Sequence, residues 1–173
     1  MFKYNCLLHD TADEYISDLT RTGYFGDPSI KYHSNDKLQD SRVPNIVSWS
    51  SINTDDRKYV FMASHEKDQF THDWRLFEPQ CVMLLSKMDI DPIHILSNPY
   101  MIDLIYTTKE YRRTKLACNM IKFVLAQRDI QDNKFQLVSI PDNKISESLF
   151  ESIGFSKMMM LGPNPIYYSN SKI

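Results

Sequence analysis

Between Gly26 and Gly154 this chain of 173 residues contains no glycine, and the whole sequence holds only four. Phosphate-binding loops normally use glycine to bring bare backbone against an anion, so a loop built that way is excluded from this span. Cysteine is scarce too. Cys6, Cys81 and Cys118 are scattered with no CxxC pair, which argues against a disulfide framework or a zinc site and leaves buried, reduced thiols as the expectation. His65 and His72 stand seven apart, whereas a zincin needs HExxH at one-turn spacing, so no metal is expected. The longest apolar runs, such as CVMLL and YMIDLIY, are far too short to span a membrane. The opening MFKYNCLLHD has an interrupted apolar stretch unlike a secretory signal, and the expectation is a cytoplasmic protein with no membrane partner. Positive charge is not in excess either: 20 basic against 22 acidic side chains give a net charge of −2. Without clustered Lys and Arg there is no counterion-release footprint, and nucleic acid is not an expected partner.

What is present fits one soluble domain over residues 1–173, since 42% hydrophobic and 24% charged residues lie in the globular range. FKYNCLL has a strand pattern. DTADEYISDLTRTGY then reads as a helix, with Thr11 and Glu14 spaced as a capping box and Tyr15, Ile16 and Leu19 on one face. From Gly23 to Asn45 turn-forming residues predict a long loop. NIVSWSSI, KYVFMASHE and CVMLLSKMDI follow as strands. YMIDLIYTT has few polar interruptions and should be a central strand. RTKLACNMIKFVLAQR carries Leu116, Ala117, Met120, Ile121, Val124 and Leu125 on one helical stripe. KFQLVSI is a further strand, and DNKISESLFESIGF a short helix with Asp142 or Asn143 as N-cap and Gly154 just past its end. SKMMML and IYYSN close the chain as a hairpin around GPNP. This order predicts an α/β fold on a mixed sheet.

The joint YTTKEYRRTKLACNM joins the central strand to the amphipathic helix. Unpaired amides and the positive end of the helix dipole meet there. Arg112, Arg113 and Lys115 add three cations to the same short segment. Cations at a helix start oppose the dipole, by a few tenths of a kcal/mol each, unless an anion offsets them. The stretch is either a solvated basic turn or an anion-binding loop.

The segment DLIYTTKEYRRTKLACNMIKFVL resembles the acyl-CoA-binding segment of the GNAT superfamily of N-acetyltransferases. The family signature is Arg or Gln, two free positions, Gly, one free position, then Gly or Ala, placed between a strand and a helix. Arg112 matches the first position, Leu116 the usual aliphatic and Ala117 the last. NKISESLFESIGF is similar to the second family motif, with Asn143, Ser146, Leu149, Gly154 and Phe155 at the expected places. The resemblance covers residues 103 to 155 and implies a GNAT-like, mostly antiparallel central sheet flanked by helices. It departs from the family at two positions. Lys115 stands at the signature glycine, which is accommodated if the backbone there stays in the ordinary helical region. Phe150 stands where many relatives carry a tyrosine that protonates the departing thiolate.

By this resemblance the co-substrate is acetyl-CoA and the partner an amine-bearing acceptor. Arg112, Arg113, Thr114, Lys115, Leu116 and Ala117 would hold the pyrophosphate. A splay in the sheet would expose the backbone of Ile105, Tyr106 and Thr107 to the pantetheine, and Asn143 would either cap its helix or reach the cofactor. Asp103 is the candidate base, placed by strand alternation with Met101 and Ile105 in an apolar setting that raises its pKa. Tyr168, or its neighbour Tyr167, is the candidate replacement for the missing acid. THDWRLFEP would overhang the acceptor. Relatives commonly dimerise through the last strand, which leaves a homodimer open. The resemblance thus implies an N-acetyltransferase working by direct attack. The changes at Lys115 and Phe150 support the alternative, a GNAT-fold protein that has lost catalysis and serves as a binding or structural subunit.

Overall fold

The computed structural model describes residues 2–25, 58–65, 79–88, 98–130, 135–141, 143–161 and 164–170. The expected loop from Gly26 onward, the NIVSWSSI strand, Asp142, most of THDWRLFEP and the tip of GPNP lie outside them. The described elements are strand β1 (Phe2–Leu8), helix α1 (His9–Arg21), strands β2 (Lys58–His65), β3 (Cys81–Lys87) and β4 (Pro99–Thr107), helix α2 (Leu116–Ile130), strand β5 (Gln136–Ser139), helix α3 (Lys144–Ile153), and strands β6 (Ser156–Leu161) and β7 (Asn164–Tyr168). A single 3-10 turn, Lys109–Tyr111, lies between β4 and α2.

The strands form one sheet in the order β1-β2-β3-β4-β5-β7-β6. All neighbours are antiparallel except β4 and β5, which are parallel and joined by the α2 crossover. Strand alternation divides the core in two. Phe61, Ala63, Cys81, Met83, Leu85, Tyr100 and Ile102 face Leu116, Met120, Ile121 and Val124 of α2 and Phe150 of α3. Val60, Met62, Val82, Leu84 and Leu104 face Ala12, Tyr15, Ile16 and Leu19 of α1. Covered on both sides, β3 reads as an almost unbroken apolar run, and Cys81 through Ser86 are all buried.

Two boundaries differ from expectation. Helix α1 begins at His9, so Thr11 lies inside the first turn and cannot serve as the N-cap. Helix α2 begins at Leu116, which leaves Arg112 through Lys115 in the turn ahead of it. The α3 caps are as expected: Asn143 accepts from the Ser146 amide at 2.9 Å, and Gly154 takes the left-handed conformation at φ 89°. The Phe155 amide then reaches back to the Phe150 carbonyl at 3.1 Å, closing the helix. Of the cysteines, Cys81 is buried and Cys118 half-buried, but Cys6 is exposed on the edge strand β1, against the expectation of buried thiols.

Candidate active site

Parallel pairing between β4 and β5 is short. Pro99, Tyr100 and Met101 match Gln136, Leu137 and Val138 in register. Ser139, the end of β5, pairs instead with Tyr167 of β7, while β4 runs on through Ile102–Thr107 without a β5 partner. The two strands therefore part, and the flank of β4 that carries Ile105, Tyr106 and Thr107 opens beside the split. Strand backbone on such a flank offers donors and acceptors to a neighbour, and here the Thr107 carbonyl accepts from Arg112 Nε.

At the top of this open flank the chain enters the basic loop. Arg112 donates from Nε to the Thr107 carbonyl at 3.2 Å, and its guanidinium lies over the Tyr106 ring at 5.9 Å from the centroid. Thr114 Oγ1 donates to the Tyr111 carbonyl at 2.6 Å. The first backbone bond into α2 runs from the Asn119 amide to the Lys115 carbonyl at 2.9 Å. Among the described residues, no backbone carbonyl accepts from the amides between Arg112 and Asn119. Arg112, Arg113, Thr114 and Lys115 are exposed, Leu116 is buried against the sheet, and Ala117 is half-buried.

The expectation for the Lys115 backbone is overturned. Lys115 has φ 63° and Arg113 has φ 64°, both left-handed, where a side chain is disfavoured by roughly 1–2 kcal/mol. The loop keeps a conformation that glycine would adopt without strain and fills it with cations. Non-glycine residues in this region concentrate at ligand clamps and other functional sites. Left-handed residues alternating with others also turn successive amides toward one concavity, a nest for anions.

Asp103 occupies a β-bulge. Leu84 pairs with Leu104 and Leu85 with Ile102, so Asp103 is the extra residue of β4. The bulge breaks the alternation that placed Asp103 with Ile105. Ile105 packs on the α2 side, whereas Asp103 Oδ2 accepts from Ser86 Oγ at 2.6 Å, and Ser86 follows Val82 and Leu84 onto the α1 side. Burial pushes the Asp103 carboxyl from 3.8 to about 6; the Ser86 bond and its own backbone amide oppose that rise. Beside this pair, Lys58 of β2 is buried and held to Asp13 of α1 at 2.7 Å.

Tyr167 and Tyr168 separate cleanly. Tyr167 is fully buried on the α2–α3 side, donates to Glu151 Oε1 at 2.7 Å and packs near Phe150; burial and that hydrogen bond push its phenol up to about 12. Tyr168 points to the opposite face and is half-buried. In register, Tyr168 pairs with Val138 and Val138 with Met101, so Tyr168 lies in the sheet row that crosses β4 two residues before Asp103. With strands about 4.8 Å apart, the backbones of Tyr168 and Met101 are roughly 10 Å from each other across β5, and Asp103 lies two residues farther along β4. Phe150 is buried between Phe155 and Tyr167. Sequence reasoning missed Ser86 and the bulge, because neither has a local pattern.

The arrangement is an α/β/α sandwich with a split between its two parallel central strands, leading into a basic helix start. No protein-family model and no curated protein matches this sequence. Solved structures do. An acetyltransferase of the GNAT family from Staphylococcus aureus is similar over 98% of this chain and 100% of its own, with a TM-score of 0.51 at 14% identity. The ribosomal-protein-S18-alanine N-acetyltransferase from Escherichia coli matches over 97% and 91%, with a TM-score of 0.52 at 10% identity. AAC(6')-Iy in complex with a CoA-containing bisubstrate analogue matches over 93% and 95%, with a TM-score of 0.56 at 14% identity. The chain has the GNAT fold. Among the described residues, no helix is long and apolar enough to cross a membrane, and no group of three or more His, Cys, Asp or Glu could hold a metal ion.

Proposed function

We propose that this protein is an N-acetyltransferase that passes an acetyl group from acetyl-CoA directly to an amine, within one cytoplasmic domain. The observation that carries the reading is the open flank of β4 running into the strained, basic loop before α2. The Arg112–Ala117 loop takes the pyrophosphate on its amides and its guanidinium and ammonium groups. The backbone of Ile105, Tyr106 and Thr107 holds the pantetheine and directs the thioester toward the split. Asn143 has its side chain committed to capping α3 and acts on the cofactor only through that helix.

Asp103 is the base. A carboxyl with a pKa near 6 is largely ionised at neutral pH and basic enough to relieve the amine of its proton. The amine nitrogen forms a bond to the thioester carbon, the carbon–sulfur bond breaks, and the thiolate leaves with the electron pair. Tyr168 returns a proton to that sulfur. Proximity supplies much of the remaining rate. Thiol release from acetyl-CoA, measured against a panel of amines, peptides and polyamines, tests the proposal: turnover with at least one acceptor is expected, and acetyl-CoA binding without turnover across the panel would contradict it. Phe150 favours a second reading, a CoA-binding GNAT-fold subunit without catalysis. The usual tyrosine position is filled by a ring locked in the core, with no proton to donate.

A further inference from the structure

We propose that Ser86 is a positioning residue for the acceptor side of the site, holding one oxygen of the Asp103 carboxylate so that the other is presented to the incoming amine. The inference rests on Asp103 being the base. Ser86 sits near the end of a buried strand whose preceding residues, Cys81 through Leu85, are all apolar, and it is only 5% exposed. A hydroxyl in such a place loses its hydration and must find a protein partner. Its partner is the Asp103 carboxylate, at 2.6 Å, a short charge-assisted bond. The bulge brings the two together: had the pairing of Leu84 with Leu104 run on in register, Asp103 would stand opposite Leu85 and face the α2 helix layer instead. A bulged residue is left out of the ladder pairing, so the Ser86 tether, together with the bond from its own amide, helps set the direction of the Asp103 carboxylate.

The charged surroundings of Asp103 point to the same tether. Among the described residues, Lys58 stands across from Ser86 on β2 and is tied to Asp13 of α1; Tyr168 lies on the same face from β7. Lys87, next along β3, is exposed and alternates to the other face. Lys58 is tied to Asp13, and the groups bonded to the Asp103 carboxylate are the Ser86 hydroxyl and its own backbone amide, of which Ser86 is the side chain. Stabilising the ionised carboxylate, it offsets part of the burial effect and keeps the base available at neutral pH.

The test is a carbon-13 carboxyl titration of the full chain labelled at aspartate, with Asp103→Asn used to assign the resonance, alongside the pH profile of thiol release. Ser86→Ala should move the Asp103 midpoint, and the acidic limb of the rate profile, upward by about one pH unit, the equivalent of a charge-assisted hydrogen bond. Ser86→Thr, which keeps the donor, should restore both. Ser86→Cys, nearly isosteric with a weak donor, provides the same test if Ser86→Ala fails to fold. A midpoint and rate profile unchanged in the variants lacking the donor would overturn the positioning role while leaving Asp103 as base. Full turnover by Asp103→Asn would instead overturn the base itself and the role of Ser86 with it.

Discussion

Asp103 is a carboxyl kept in an apolar bulge, and two consequences follow from its raised pKa. Between roughly pH 4 and pH 6 the native chain binds its proton more tightly than the unfolded chain, so stability is greatest below that window and declines as pH rises through it. Asp103→Asn removes the ionised group and keeps an acceptor for Ser86. It is expected to raise the melting temperature at pH 7, an advantage that shrinks toward pH 4, and to lower the rate of thiol release about 100-fold or more, the usual effect of losing a general base. Melting curves at the two pH values and a rate assay read these outcomes separately. Lys115 gives the opposite pairing. Lys115→Gly relieves a left-handed side chain and should stabilise the fold by about 1 kcal/mol in a denaturant titration, while weakening acetyl-CoA binding through the lost charge. A variant neither stabler nor weaker in binding would show that the strain and the charge have no role in the loop.

The elements show which signals are local and which are not. Helix α3 was legible to its ends: Asn143 and Gly154 both act where their residue types predicted, and the apolar spacing of Leu149, Ile153 and Phe150 marks the buried face. The stripe of α2 was legible in the same way, with Leu116, Met120, Ile121 and Val124 all buried. The bulge in β4 was not, because it is a property of pairing between two strands, and YMIDLIYTT looks like regular alternation when read by itself. The backbone at Lys115 was hidden for a related reason: residue type argues against a left-handed conformation, and the tie from Arg112 to Thr107 and the docking of α2 on the sheet override it. Phe150 belongs to this scale as well. It links α3 to Phe155 and Tyr167, so Phe150→Ala should destabilise the protein by about 3–5 kcal/mol, the cost of a large core truncation, as measured by the shift in urea midpoint. A small shift would mean that the ring is not part of the packed core.

For the whole molecule, the two faces of the sheet divide the work. The α2 and α3 side is a packed core that carries the basic loop at its rim, and it buries Tyr167, the alternative acid, with its hydroxyl bonded to Glu151. The α1 side carries Lys58, Ser86 and Asp103 on the adjacent strands β2, β3 and β4, with Tyr168 beyond β5 on β7. The pattern of elements was enough to read a mixed sheet from the sequence, and the two motifs were enough to read the GNAT fold. The division of polar groups between faces needed the register, which no single segment carries. The same fold serves many acceptors, so the fold by itself names none.

In the proposed function a CoA diphosphate rests on the amides and cations of the Arg112–Ala117 loop. Calorimetric titration of acetyl-CoA into the native chain, and into the Arg112→Ala, Arg113→Ala double variant, tests it most directly. One-to-one binding is expected, weakening at least about tenfold in the variant, the scale of a lost charge-assisted contact. Absence of heat with the native chain at millimolar ligand, or equal affinity in the two proteins, would contradict it.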